Sequence, residues 1–161
     1  MKKLGLGFVL FALIATVALA ASPDFSGKWA INKEKSNFRF GPDGPTPDVT
    51  MTIDQTADSI KVKTHMSTER GDFDRDFTLN PDGQTREMPW FMNRPAKVTA
   101  KWDGAALAVD SVQEMQGGQM EGTMKTNERW ELSADGKTLT INSKMQGPMG
   151  EFESKRVMEK Q

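Results

Sequence analysis

From Val49 onward, apolar and polar residues alternate in short runs separated by turn-forming residues. Val49, Met51 and Ile53 alternate with Thr50, Thr52 and Asp54; beyond a turn near Asp58, Ile60, Val62, Thr64 and Met66 alternate with Lys61, Lys63 and His65. A period of two marks strands with one face buried and the other in water. The next run sets Phe73, Arg75, Phe77 and Leu79 on one face and Asp72, Asp74 and Asp76 on the other. Asp82-Gly83, Asp103-Gly104 and Asp135-Gly136 fall between runs, where hairpins favour residues that tolerate positive φ. Residues 98–102 turn at Asp103-Gly104 into 105–112, residues 120–132 turn through Asp135-Gly136 into 138–145, and a last strand covers about 151–159. With residues 27–33 as the opening strand, the pattern predicts an all-β fold: an antiparallel up-and-down β-barrel of about eight to ten strands, whose closure removes exposed edges. Residues 34–47, with Pro42, Pro45 and Pro47, are expected to form a long loop over one end.

Residues 1–20 follow a different rule. Lys2 and Lys3 precede an uncharged apolar run over 4–19, and small residues stand at Ala18, Ala20 and Ala21. This is the layout of a secretory signal, and the run is shorter than the roughly 20 residues a spanning helix needs. The expectation is a signal peptide over 1–20 and one domain over 21–161, exported to the periplasm or the exterior, with no transmembrane span in the mature form; a retained anchor is the alternative. The net charge of −1 becomes more acidic once Lys2 and Lys3 are removed, which argues against nucleic acid as a partner. There is no cysteine, which excludes a disulfide framework and a cysteine-linked lipid anchor. A domain of this length can bury roughly two-thirds of its unfolded surface in one core without staples.

The opening stretch Phe25-Ser26-Gly27-Lys28-Trp29-Ala30-Ile31-Asn32-Lys33-Glu34-Lys35-Ser36 resembles the start of a lipocalin-like family of small exported bacterial proteins, which begin Gly-x-Trp-x-Leu-Asn-x-x-Lys-Ser. Gly-x-Trp is also the first-strand signature of lipocalins and their fatty-acid-binding relatives. The resemblance implies a barrel floor closed by Trp29, with an arginine or lysine of the last strand across its ring. Arg156 is the first candidate for that cation and Arg129 the second, while Gly27 leaves room for close approach. A guanidinium over an indole is worth about 0.5 to 2 kcal/mol and would tie the first strand to the last.

The apolar faces converge on an interior rich in methionine and aromatic residues. A barrel of this size either fills itself with side chains or keeps a cavity for one small ligand, and the pattern alone leaves both open. The candidate ligand-binding residues are Met51, Met66, Arg75, Phe77, Trp102, Met124, Met145 and Phe152. Arg75 is the most informative, because a charge sent to an apolar face is costly unless paired. It would meet the carboxylate of a fatty-acid-like ligand, or else an internal partner such as Glu128 or Glu114, or a bulge would turn it outward. Trp90 and Phe91, bracketed by Pro89 and Pro95, would either cap the barrel mouth or form an outward patch for a protein partner.

Other chemistry fits less well. Met115, Met120, Met145 and Met149 flank two glycine turns, and gathered thioethers would suit Cu(I). Asp72-Phe73-Asp74-Arg75-Asp76 opens like a calcium loop but lacks the glycine and the glutamate such a loop needs further on. No thiol nucleophile, Gly-x-Ser-x-Gly elbow or phosphate-binding glycine loop is present, and His65 is the single histidine. Paired carboxylates remain open, with Glu69, Asp72, Glu114, Glu121 and Glu128 available. The residues point to non-catalytic binding of a small apolar or amphipathic molecule, with no catalytic residue, metal or cofactor assigned. The alternatives are a packed barrel acting as an envelope interaction domain and, third, a methionine-based Cu(I) site.

Overall fold

The computed structural model of the chain describes residues 22–39, 44–117 and 121–161. The leader segment 1–20 and Met120 lie outside the described residues. Among the described residues ten antiparallel strands follow one another: β1 (Gly27–Ile31), β2 (Asp48–Gln55), β3 (Ile60–Thr68), β4 (Gly71–Leu79), β5 (Asp82–Pro89), β6 (Pro95–Asp103), β7 (Ala106–Met115), β8 (Gly122–Leu132), β9 (Thr138–Gly147) and β10 (Gly150–Lys160). One short 3-10 turn, Phe91–Asn93, is the only helical element among the described residues.

The strands form one sheet in the order β4-β3-β2-β1-β10-β9-β8-β7-β6-β5. Pairing of β1 with β10 joins the start of the chain to its end, with Trp29 opposite Lys160 and Ile31 opposite Met158. No ladder joins β4 to β5, so the barrel is nearly closed, with one seam. Side chains bridge that seam where Phe77 of β4 meets Trp90 edge-on, ring centroids 5.1 Å apart.

The alternation read from the sequence holds strand by strand. Val49, Met51 and Ile53 are buried on β2, Ile60 and Val62 on β3, and Phe77 and Leu79 on β4. Two local expectations change. Asp82-Gly83 is no hairpin turn: it opens β5, the turn before it is Asn80-Pro81, and the Asp82 carboxylate is held by Arg86 at 2.6 Å and by the Gln84 amide. The opening strand ends at Ile31 and not at Lys33, and the residues that follow climb beside β10 on their way to the mouth end. Asn32 donates to the Val157 carbonyl and Asn37 to that of Lys155, because β10 is twice the length of β1 and its upper half lacks a strand neighbour on that side.

Connectivity sorts the barrel into two ends. Segments 32–39, 44–47, 69–70, 90–94, 116–117 and 148–149 lie at one, the mouth; segments 56–59, 80–81, 104–105 and 133–137 lie at the other. The latter end is a packed floor of Phe25, Trp29, Ile60, Leu79, Leu107, Leu139 and Met158, all essentially without exposure. Phe25 stacks on Trp102 at 5.7 Å and tilts against Trp130 at 6.2 Å. Trp29 closes the floor, its Nε1 donating to the Phe25 carbonyl at 2.9 Å. The cation over its ring is Lys160, 5.3 Å from the centroid, and neither Arg156 nor Arg129. Register decides this, since Lys160 stands opposite Trp29 while Arg156 is one full side-chain alternation beyond Met158, and Arg129 points outward to Asp103 and Glu131. Gly27 sits under Lys160, where a Cβ would meet its Cε at 2.7 Å.

On the outer face Asp72, Asp74 and Asp76 project to water as a charged strand surface. Asp74 holds His65 by a 2.8 Å contact to Nδ1, and that hydrogen bond raises the imidazole above its usual 6.5. A raised folded value means that the pair contributes below pH 6.5 and is lost as pH climbs through the folded value. An NMR titration of this single histidine is expected to give a value above 6.5 that returns towards it in Asp74→Asn; no difference between the two proteins would mean the pair does not persist in solution.

Candidate functional site

Halfway up the barrel the apolar interior is interrupted by charge. Glu128 on β8 pairs in register with Ser143 on β9, which pairs with Ser154 on β10, so the three point inward at one level. Because the residues beside Glu128 are short, Arg156 on β10 reaches across β9 and donates from NH2 to Glu128 Oε1 at 2.7 Å. The same carboxylate accepts Ser143 Oγ at 3.0 Å on Oε1 and Trp130 Nε1 at 2.9 Å on Oε2. The pair is shielded, with side-chain exposures of 16% for Arg156 and 11% for Glu128. Burial pushes the Glu128 carboxyl up, but Arg156, Arg75 and the Trp130 and Ser143 hydrogen bonds together hold it below the ordinary carboxylate value. Phe38, from the segment that climbs beside β10, covers the Arg156 guanidinium at 5.4 Å.

Arg75 faces this pair from β4 across the barrel. Its guanidinium lies between two rings, 4.2 Å from the centroid of Phe77 and 4.2 Å from that of Trp90. Two cation–π contacts compensate only part of its lost hydration. It makes no ion pair or side-chain hydrogen bond among the described residues, and its buried Nε has no partner. Burial lowers its pKa to about 10, opposed by the attraction of Glu128 and assisted by repulsion from Arg156. Arg156 Nε is likewise buried without a partner. Among the described residues the level therefore carries two guanidiniums for one carboxylate, with hydrogen-bond donors left over on both cations.

Trp90 is 4% exposed and caps the site from the mouth loop. The loop turns back sharply because Met92 and Asn93 both adopt left-handed backbone, at φ 54° and 55°. Gln113 of β7, buried among the inward residues, fastens it from below by donating Nε2 to the Phe91 carbonyl at 2.9 Å and the Arg94 carbonyl at 3.3 Å. Phe91 is half-buried and packs on the core, so the Trp90-Phe91 pair turns inward while Met92, Asn93 and Arg94 project into water.

The eight residues read from the sequence as a ligand lining sit at three heights rather than in one site. Met51 and Trp102 belong to the floor and its packing, Arg75 and Phe77 to the charged level, and Met124, Met145 and Phe152 to the mouth rim, while Met66 is half-buried. Phe73 and Phe152 are on inward phases yet 41% and 48% exposed, because the barrel opens there. Glu128, weighed as a partner of Arg75, bonds to Arg156 instead, and Glu114 points outward to Thr123. The roles of Ser143, Gln113 and the Trp130 indole nitrogen were not read from the sequence; the polar residue in phase with Met124, Thr126 and Trp130 was the available signal. A concavity of about 620 Å³ along β7–β10 is lined by Asp110, Asn127, Lys144 and Lys155 together with Glu128, Ser143 and Ser154, so it borders the charged level. No group of three His, Asp or Glu side chains arranged to hold a metal occurs among the described residues.

No family model and no curated protein matches the chain. Solved structures do. A fatty acid transporter, REP1-NXSQ, superposes with a TM-score of 0.56 at 20% identity over 85% of this chain and 96% of its own. Zebrafish ileal bile acid-binding protein complexed with cholic acid gives 0.57 at 17% identity over 85% and 98%. The fluorescent protein UnaG, in the form of a point mutant, gives 0.55 at 18% over 84% and 95%. The likeness is one of fold, a nearly closed antiparallel β-barrel.

Proposed function

We propose that this barrel is an exported, non-catalytic carrier of a small amphipathic anion, its acidic head group held between Arg75 and Arg156. The observation that carries this reading is the unbalanced charge of the interior: two guanidiniums against one carboxylate, each with an Nε that is buried and unpaired. A ligand carboxylate would balance that charge, and guanidinium forks bind carboxylates in bidentate fashion. The apolar portion of such a molecule would replace the Trp90 indole, which now lies on Arg75, so entry requires the loop fastened by Gln113 to lift. The fold shared with a fatty acid transporter and a bile acid-binding protein supports the same ligand class. An interaction domain would need Trp90 and Phe91 turned outward, whereas both pack inward.

Native mass spectrometry of the protein recovered from its producing cells tests the reading, and the same mass reports whether residues 1–20 have been removed. Oleate and cholate serve as probes, with oleyl alcohol as the uncharged control. One adduct per chain is expected with an anionic probe, weakened about tenfold or more by Arg75→Ala, in line with loss of a charge-assisted hydrogen bond. A bare mass with both anions, or equal binding of oleyl alcohol and oleate, overturns it.

A further inference from the structure

The mouth rim between β7 and β10 holds a second feature that the anion site does not use. Met115, Met124, Met145 and Met149 line one pocket of about 30 Å³ together with Phe152 and the turn residues Gly147, Pro148 and Gly150. Three of these methionines were expected to gather from their places beside two glycine turns; Met124 supplies the fourth.

The backbone explains why the pocket stays open. Met115 stands opposite Gly122, and Met124 lies against Gly147, where an added Cβ would be 3.7 Å from its Cγ. Gly147, which lines the pocket, thus adds no side chain to it. Gly122 has φ +135°, and a Cβ there would meet Pro148 Cγ at 2.8 Å, so the start of β8 and the β9–β10 turn press together. Met115 and Met124 are buried in the wall, whereas Met149, 57% exposed, stands at the lip.

A pocket of this volume is too small for an organic ligand. A water in it would lack the two or more polar partners that buried water needs. Hard cations would find no oxygen side chain in the lining. Thioethers are soft donors, and among biological metals they select Cu(I). We propose that this pocket is a soft-metal site that takes one Cu(I), or its redox-inert analogue Ag(I), on the thioethers of Met115, Met124 and Met145, with Met149 closing from the lip. Binding is association alone, with no electron transfer. No proton is released, because a thioether carries none.

The test uses the full chain with its methionine methyl groups labelled with ¹³C and titrated with Ag(I), alongside competition for Cu(I) against a chromophoric chelator under reducing conditions. The Met115, Met124, Met145 and Met149 methyl signals are expected to shift together and saturate at one equivalent, while Met51 and Met158, buried near the floor, stay in place. Affinity is expected to be the same at about pH 5.5 and about pH 7.5, unlike that of a histidine site. The Met115→Leu/Met149→Leu variant keeps the apolar volume and removes two donors, and its affinity is expected to fall at least about tenfold. Met149→Leu alone, at the exposed lip, gives a smaller loss in the same direction and serves should the double variant fail to fold. Unmoved methyl signals, shifts spread over all methionines, or unchanged affinity in the leucine variants would overturn the proposal.

Discussion

Glu128→Gln is expected to lower the unfolding free energy by about 3 to 5 kcal/mol, since removing one partner of a buried ion pair leaves an uncompensated charge. Here it leaves two, because Arg75 and Arg156 both face the same carboxylate. The amide oxygen can still accept from Ser143 or Trp130, so the loss is mainly electrostatic. Urea titration reads it as a shift in midpoint, and a loss under about 1 kcal/mol would mean that the guanidiniums are hydrated within the barrel. Arg75→Met in the same background is expected to recover part of the stability by removing one unpaired cation. The carboxylate also sets an acid limb. Its folded value is lowered, so its contribution is present above the ordinary 4.5 and is lost as pH falls through the folded value. The intact protein is expected to lose this component on acidification, and Glu128→Gln to lack it.

The second large effect lies in the floor. Trp29→Ala is expected to cost about 3 to 5 kcal/mol, the range for removing a large aromatic side chain from a core. The indole is fully buried, stands opposite Met51 on β2, and donates to the Phe25 carbonyl. It also sits where β1 joins β10, so the cavity would open beside the strand pair that closes the barrel. For a domain of this length the melting temperature should fall by roughly 10 to 20 °C. Trp29→Phe retains most of the packing but orphans the carbonyl, and a smaller loss is expected. If the alanine variant melts within a few degrees of the parent, the floor does not depend on this residue.

Both effects concern residues whose orientation was legible before any tertiary information. Trp29 was placed in the floor from the Gly-x-Trp resemblance. Arg75, Glu128 and Arg156 each fall on the inward phase of a strand. Their partners were harder to read. The resemblance suggested Arg156 for the Trp29 ring, and the interior pattern suggested Glu128 for Arg75; the structure joins Arg156 to Glu128, gives Trp29 to Lys160, and leaves Arg75 between two rings. The loop bearing Trp90 left two orientations open, and the inward one depends on Gln113, a residue 22 positions from the Phe91 carbonyl to which it donates.

The strands, most of their hairpins and the inward or outward direction of each side chain are legible in the residue order, because each follows from contacts between near neighbours: a side-chain period of two and turn residues that accept positive φ. Tertiary structure decided the height at which inward residues meet and what closes the seam. Alternation is the same at every level of a strand and carries no information about how strands far apart in the chain are aligned. That alignment comes from the register of β1 on β10 and β8 on β9, and from the missing ladder between β4 and β5. Those pairings bring Arg156 to Glu128, Trp90 to Arg75, and the rim methionines to one pocket.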